Sequence, residues 1–378
     1  MKANPKIKIH RGTEGGVMLT IKYRIYPTRK QQDILWNQSN LLTRLYNQFL
    51  EQKINAYKEK GINIKRFELQ SQLPKIKKES PEYAQIHSQV LQQVPKRLTE
   101  TYNAFFKRGY GFPKFRSSRF FFGMVYPQNT GCRIVGKKLV VGKETIKMFQ
   151  HRPIPEGIKT RNVTRTTDNK WFVCLTYENQ PNIQTKDSRV LGVDLGLKNI
   201  VYCSDGHSIK NKNHTKYFDK QIAKIQSRQS KCKRGSKQYK KYQEIINRLY
   251  GQKVRKTRDF LHKVSHTLVH KDFDIIGLEK LETKRMTEQF KWRKLNKSMR
   301  NSQLALLTNY IQYKAENEGK RVVFVNPKHT SKNCSVCGKK NELKLWNREM
   351  NCDCGNRMDR DYNASINIMN LARNELCR

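Results

Sequence analysis

Between Arg189 and Gly206 the chain reads RVLGVDLGLKNIVYCSDG, and this stretch restricts the possible folds more than any other. A short apolar run, Val190 to Val193, ends in Asp194, is released by Gly196 and returns as Ile200, Val201 and Tyr202 before Asp205-Gly206. That is the pattern of a strand followed by a hairpin. An ionised carboxylate at the exit of a buried strand is costly unless it is paired or holds a cation, so Asp194 asks for a metal ion or a partner. For a lone VDLG, a turn-capping Asp is the competing reading.

Two further carboxylates follow the same rule. The apolar run Phe273 to Leu278 predicts a second strand, ending at Glu279. Asp359-Arg360-Asp361 leads into a helix with Ala364, Ile368, Leu371 and Ala372 on one face, although an Asp in a first turn also simply favours the helix dipole. Between them, Ser302 to Glu318 is amphipathic through Leu304, Leu307, Ile311 and Ala315, and Val322 to Val325 reads as a third strand. Strands alternating with helices predict a mixed α/β sheet. Asp194, Glu279 and Asp361 converge only if the two strands lie side by side and the helix begins across them. Three acids gathered in that way would hold two divalent cations, Mg²⁺ or Mn²⁺, one activating water and one stabilising the leaving oxygen of a phosphodiester displacement. No GxxxxGKS phosphate loop and no serine or cysteine triad motif offers a competing chemistry.

The nine cysteines divide unevenly. Cys132, Cys174, Cys203, Cys232 and Cys377 are scattered, whereas Cys334 and Cys337 in CSVCG precede Cys352 and Cys354 in CDCG by about fourteen residues. Four thiolates at such spacing suit a structural, tetrahedral zinc site, with CxC in place of CxxC in the second pair. A pair of disulfides is the alternative, disfavoured in a reducing compartment.

The remainder is dominated by charge: 77 Lys and Arg against 31 Asp and Glu, a formal net charge of +46. A long polyanion, nucleic acid first, fits such self-repulsion as a resident partner. No apolar run reaches the length of a spanning helix, and no secretory apolar segment follows the basic start Met1 to Arg11, so the expected setting is the cytosol with no membrane contact. A strand from Met18 and a Pro27-Thr28 helix start lead into a helical lobe, with helix through Phe49, around Tyr57, over Phe67 to Ile76 and over Pro81 to Lys107. Then GYGFPKFRSSRFFFG interleaves aromatic and basic residues, a composition that suits a nucleic-acid groove or, equally, a loop folded back on its own rings. Short strands at Cys132 to Ile134, Lys138 to Val141, Thr145 to Phe149, Lys159 to Thr166 and Lys170 to Tyr177 predict a small antiparallel barrel that includes the opening strand. Glu178 to Ser188 reads as a linker, Phe218 to Lys271 as basic helix and Met286 to Asn301, with Trp292, as a lid. The candidate nucleic-acid contacts are Tyr23, Arg24, Tyr46, Lys114, Phe115, Arg116, Lys233, Arg234 and Lys237.

With KYRIYPT, GFPKFRS, GVDLGLKN, IIGLEKL, HTSKNCSVCG, CDCG and DRDYNASINI in this order, the chain resembles TnpB-type (OrfB) transposon-encoded nucleases, akin to compact type V CRISPR effectors. The resemblance spans nearly everything from Met18 to Leu371. It implies a wedge β-barrel domain (18–28 and 109–180) carrying a helical recognition lobe (29–108), after a basic N-terminal extension (1–17). An RNase H-like RuvC nuclease domain (188–330 and 358–378) with an inserted zinc ribbon (331–357) would follow. It further implies RNA-guided cleavage of double-stranded DNA next to a short DNA motif, a guide RNA from the transposon end, and Asp194, Glu279 and Asp361 as catalytic metal ligands; the oligomeric state is left open, with a monomer favoured. A nucleic-acid-binding regulator of transposition is the alternative from another class. A junction-resolving nuclease would leave the helical lobe and the cysteine cluster unexplained.

Overall fold

The computed structural model describes residues 17–179, 189–212, 214–280, 303–343 and 347–376. The basic extension up to residue 16, linker residues 180–188 and the expected lid lie outside the described residues. The chain divides into two compact units, with the boundary after Asn179.

The first unit opens with strand β1 (Val17–Tyr26). Thr28 then starts helix α1 (Arg29–Lys60) through a capping box with Gln31, and Gly61 closes it in the left-handed conformation. One continuous helix therefore covers what the sequence pattern divides into two. The expected 67–76 helix is instead α2 (Arg66–Ser71) and α3 (Leu73–Glu79), because Pro74 starts a new helix better than it continues an old one. A 3-10 turn, Pro81–Gln85, precedes α4 (Ser88–Arg108). Six strands follow: β2 (Met124–Tyr126), β3 (Cys132–Val135), β4 (Lys138–Val141), β5 (Glu144–Phe149), β6 (Ile158–Arg165) and β7 (Trp171–Asn179). With β1 they form one antiparallel sheet in the order β2-β6-β7-β1-β5-β4-β3, nearly closed into a barrel. The three-residue β2 was too short for alternation to show. Glu178 and Asn179, assigned to the linker by composition, instead pair with Met18 and Val17 at the end of β7.

Helices and sheet in this unit share one apolar core. Tyr23 and Tyr46 belong to it, at 0% and 1% exposure, so burial keeps both rings from the nucleic-acid contacts expected of them. Tyr23 alternates with Ile21 and Ile25 on the inner face of β1, and its hydroxyl donates to the Pro153 carbonyl oxygen at 2.7 Å. Tyr46 continues the buried stripe Leu42, Leu45, Phe49 of α1.

In the second unit, β8 (Val190–Asp194) pairs antiparallel with β9 (Asn199–Cys203), and β9 with β10 (Ser208–Lys210). Helices α5 (His214–Ser230) and α6 (Lys237–Val269) form a hairpin with a small core of Phe218, Ile222 and Ile246. Strand β11 (Ile275–Glu279) adds to β8 in parallel. After α7 (Leu304–Asn317), β12 (Arg321–Val325) adds in parallel to β11, giving the mixed order β10-β9-β8-β11-β12. A two-stranded ribbon, β13 (Glu349–Asn351) and β14 (Arg357–Asp359), leads into α8 (Arg360–Leu376).

Strand alternation sorts the two faces of the five-stranded sheet. Leu191, Val193, Ile276 and Leu278 pack with α6 and α7, whereas Val190, Ile275, Val323 and Val325 pack with Ile368 and Ala372 of α8. Since side chains two apart share a face, Gly192, Asp194, Gly277 and Glu279 lie on the α8 side. Gly277 is register partner of Gly192. A Cβ on Gly192 would stand 2.0 Å from the Ser365 carbonyl oxygen, and one on Gly277 2.9 Å from the Ala372 Cβ. The two glycines thus let α8 lie directly on β8 and β11.

Candidate functional site

Asp194 and Glu279 each follow their glycine by two residues, so they emerge on the α8 face at the carboxyl ends of neighbouring parallel strands. Helix α8 runs against the strand direction, because Ser365 and Met369 meet Gly192 while Asp361 lies one turn earlier, toward the strand ends. The capping task is taken by Asp359, whose carboxylate accepts from the Asp361 and Tyr362 amides at 2.8 and 3.3 Å. The cap therefore does not depend on Asp361, which sits in the first turn of α8, where its charge also favours the helix dipole.

The electrostatics of the site converge on Asp194. Burial pushes the Asp194 carboxyl well above its usual range, and the charges of Glu279 and Asp361 push it further, with Arg360 opposing. Burial likewise raises Glu279, against a hydrogen bond donated by the Thr330 hydroxyl. Asp361 is raised by burial and by Asp359, and lowered by Arg360, Arg348 and Lys198. Its oxygen lies 3.8 Å from the Arg360 guanidinium. Cations around a cluster of acids can meet an anionic ligand, while the acids themselves favour a proton or a metal ion. The three carboxylates do not gather about one point. Among the described residues, only the four cysteines bring all their ligand atoms within 4.8 Å of one another.

Those cysteines are Cys334, Cys337, Cys352 and Cys354, and together they can hold a metal ion. The sulfur pairs Cys334–Cys354 and Cys337–Cys352 stand 3.7 and 3.5 Å apart. A tetrahedron with metal–sulfur bonds of about 2.3 Å has edges of ~3.8 Å, so the donor set fits. All four are free thiols, which excludes the disulfide alternative here. Amides of Val336 and Cys337 and the Asn356 side chain bond the Cys334 sulfur, and its thiol lies low, at about 6. Cys352 is also lowered, first by the Cys354 amide, while the Cys354 thiol, sharing protons with its neighbours, is pushed up to about 12.

The remaining candidates are scattered over the surface. In the first unit Lys114, Phe115 and Arg116 are exposed, and Asn47 clasps the Arg116 backbone through two hydrogen bonds of 2.7 and 2.9 Å. The Arg116 guanidinium covers the edge of the core at Tyr46 and Phe122. Arg24 is partly buried over the Tyr26 and Phe172 rings. In the second unit Lys233, Arg234 and Lys237 are exposed where α5 turns into α6. Sequence reasoning missed Thr330, Asn363 and Asn367, whose roles arise from tertiary hydrogen bonds. It also passed over the glycine two residues before each strand acid, a spacing that the sequence does show.

Three family models match the chain in order. One described as a helix-turn-helix domain matches residues 17–61, which here form β1 and the single helix α1. One described as a probable transposase matches residues 172–289, and a Cas12f1-like TNB domain matches residues 305–368, a span that holds the four cysteines and Asp361. A Streptomyces pristinaespiralis protein with the provisional name RNA-guided DNA endonuclease is 27% identical over 361 residues, covering 93% of this chain and 89% of its own. An Escherichia coli protein with the same provisional name, InsQ, is 26% identical over 298 residues, covering 75% of this chain and 74% of its own. The solved structure of a mini-RNA-guided endonuclease, CRISPR-Cas_phi3, aligns with a TM-score of 0.48 at 10% identity over 94% of this chain and 92% of the other. Among the described residues no helix is long and apolar enough to cross a membrane. The ordered matches to the probable transposase and its flanking domains, together with these relatives, make the chain similar along most of its length to TnpB-type (OrfB) transposon-encoded proteins.

Proposed function

We propose that the chain is an RNA-guided, divalent-metal-dependent DNA endonuclease encoded by a transposon, acting through a RuvC-type site made of Asp194, Glu279 and Asp361. The observation that carries this reading is the shared face: two strand tips in register and one helix start, each ending in an acid whose carboxyl is raised by burial. Relatives named as RNA-guided DNA endonucleases support the substrate class. Two ions, which in such sites stand about 3.5–4 Å apart, need ligands on both sides, so the acids need not surround a single point. Bound there, Mg²⁺ or Mn²⁺ would supply an activated water and charge stabilisation on the leaving oxygen. Arg360, Lys198 and Arg348 line the same place and would hold the phosphate backbone in register.

The other assignments follow from this reading. The cysteine cluster holds structural zinc in a ribbon over 331–357, inserted into a nuclease domain over 188–330 and 358–378. The nearly closed barrel (18–28 and 109–180) is the wedge, and the helices (29–108) are the recognition lobe. A guide RNA from the transposon end selects double-stranded DNA by pairing, next to a short motif read by the protein. Lys114, Phe115, Arg116, Lys233, Arg234 and Lys237, being exposed, remain candidates for backbone or base contacts.

Expressing the protein with its native flanking DNA, sequencing the RNA that copurifies and testing DNA matched to that RNA in Mg²⁺ examines the proposal. A defined RNA and matched-target cleavage are expected. Tight binding of matched DNA without cleavage at any divalent-ion concentration would favour a regulator of transposition.

A further inference from the structure

We propose that Thr330 is a positioning residue for Glu279, and that the cysteine-bearing loop holds it in place through Asn363 and Asn367 of α8. This rests on reading Glu279 as a metal ligand. Thr330 is 4% exposed, and its hydroxyl donates to Glu279 Oε1, with the Pro327 carbonyl oxygen 3.2 Å away as the competing acceptor. A hydroxyl has one proton, and an ionised carboxylate is the stronger acceptor, so the bond selects the charged form of Glu279 and fixes which oxygen stays open. The loop bearing Thr330 is tied down independently. Asn367 Nδ2 donates to the Thr330 and Asn333 carbonyl oxygens at 2.8 and 2.7 Å, and Asn363 Nδ2 donates to the Asn333 carbonyl oxygen at 2.7 Å. Asn363 Oδ1 in turn accepts from the Ser335 amide at 2.9 Å, beside Cys334.

These contacts form a short mechanical path. Asn363 and Asn367 are one helical turn apart on α8 and lie just beyond Asp361 on the same helix. Asn363 is fully buried, so its amide has no water to replace a lost partner. His329, immediately before Thr330, has a left-handed backbone with φ of 68°, and its carbonyl oxygen accepts from both the Lys332 and Asn333 amides. A bulky residue in that conformation persists where surrounding bonds over-determine it. One loop thus touches a cysteine of the metal cluster at one end and an acid of the candidate active site at the other. The helix carrying a second acid clamps its middle.

The test uses the full chain with its bound RNA and compares wild type, Thr330→Val, Thr330→Ser and Asp194→Ala. Readouts are Mn²⁺ affinity by electron paramagnetic resonance, the Mg²⁺ concentration for half-maximal cleavage, and zinc content. Thr330→Val should weaken Mn²⁺ binding about 10- to 100-fold, as loss of a ligand's outer hydrogen bond commonly does. It should raise the Mg²⁺ requirement in proportion and leave zinc content unchanged, while Thr330→Ser stays close to wild type. Wild-type Mn²⁺ affinity in Thr330→Val would overturn the proposal, as would equal weakening in both Thr330 variants. If Thr330→Val fails to retain zinc, Thr330→Ala, with less bulk, replaces it under the same criteria. Asp194→Ala separates the two claims: loss of cleavage there, with an unaffected Thr330→Val, refutes only the positioning role, whereas wild-type cutting by Asp194→Ala refutes the underlying site as well.

Discussion

At the residue scale, the acids hold more protons in the folded chain than in the unfolded one. Asp194, Glu279 and Asp361 are all raised in the fold, so between the ordinary carboxylate range and their raised values stability falls as pH rises. Without added divalent ions, the protein should therefore melt higher at mildly acidic than at neutral pH as far as this cluster contributes. Asp194→Asn should flatten that dependence and raise the melting temperature at neutral pH. Calorimetry on the zinc-retaining protein checks this, and an unchanged slope would mean that Asp194 is not raised as described. Asp194 and Glu279 stand out in the sequence because each ends an apolar run, and Asp361 because it opens a helix with an apolar face, patterns that need no tertiary information. Tyr23 and Tyr46 were legible too, but by a rule that composition obscured: Tyr23 keeps the two-residue period of β1, and Tyr46 the helical stripe of α1. Thr330 was not legible, because what it bonds lies 51 residues away in the chain.

At the scale of elements, the position of α8 decides whether the acids meet. Its closeness to β8 depends on Gly192, where an added Cβ would strike helix backbone at Ser365 and Met369. Backbone cannot swing aside as a side chain can, so Gly192→Ala should cost about 1–3 kcal/mol or more and shift Asp361 from the strand tips. Denaturant unfolding and cleavage measured together check this, with cleavage falling further than stability alone explains. The cysteine ribbon is a second such element. Elemental analysis should find about one zinc per chain, and Cys334→Ser should release it and lower the melting temperature of the second unit. A metal-free preparation with the same melting profile would contradict this. Strand and helix identities were largely readable from periodicity. Breaks were not: Pro74 divides one expected helix into two, while the division expected near Tyr57 is bridged by the unbroken α1. Both outcomes depend on packing that propensity does not report.

For the whole molecule, a net charge of +46 favours a polyanion as partner. Affinity for nucleic acid should fall steeply and linearly with salt on logarithmic axes, whereas a flat response would remove the electrostatic basis of binding. Charge alone indicates a partner and not a reaction. The reaction is assigned to one small place in the second unit, where the sheet order and the two glycines bring three acids onto one face. The most direct measurement is cleavage of guide-matched DNA in Mg²⁺ by wild type and by Asp194→Ala, Glu279→Ala and Asp361→Ala, with DNA binding measured on the same preparations. Each single substitution should abolish cutting and leave binding intact. A variant that cuts at the wild-type rate would show that its carboxylate has no part in the chemistry, and the three-acid site would fall.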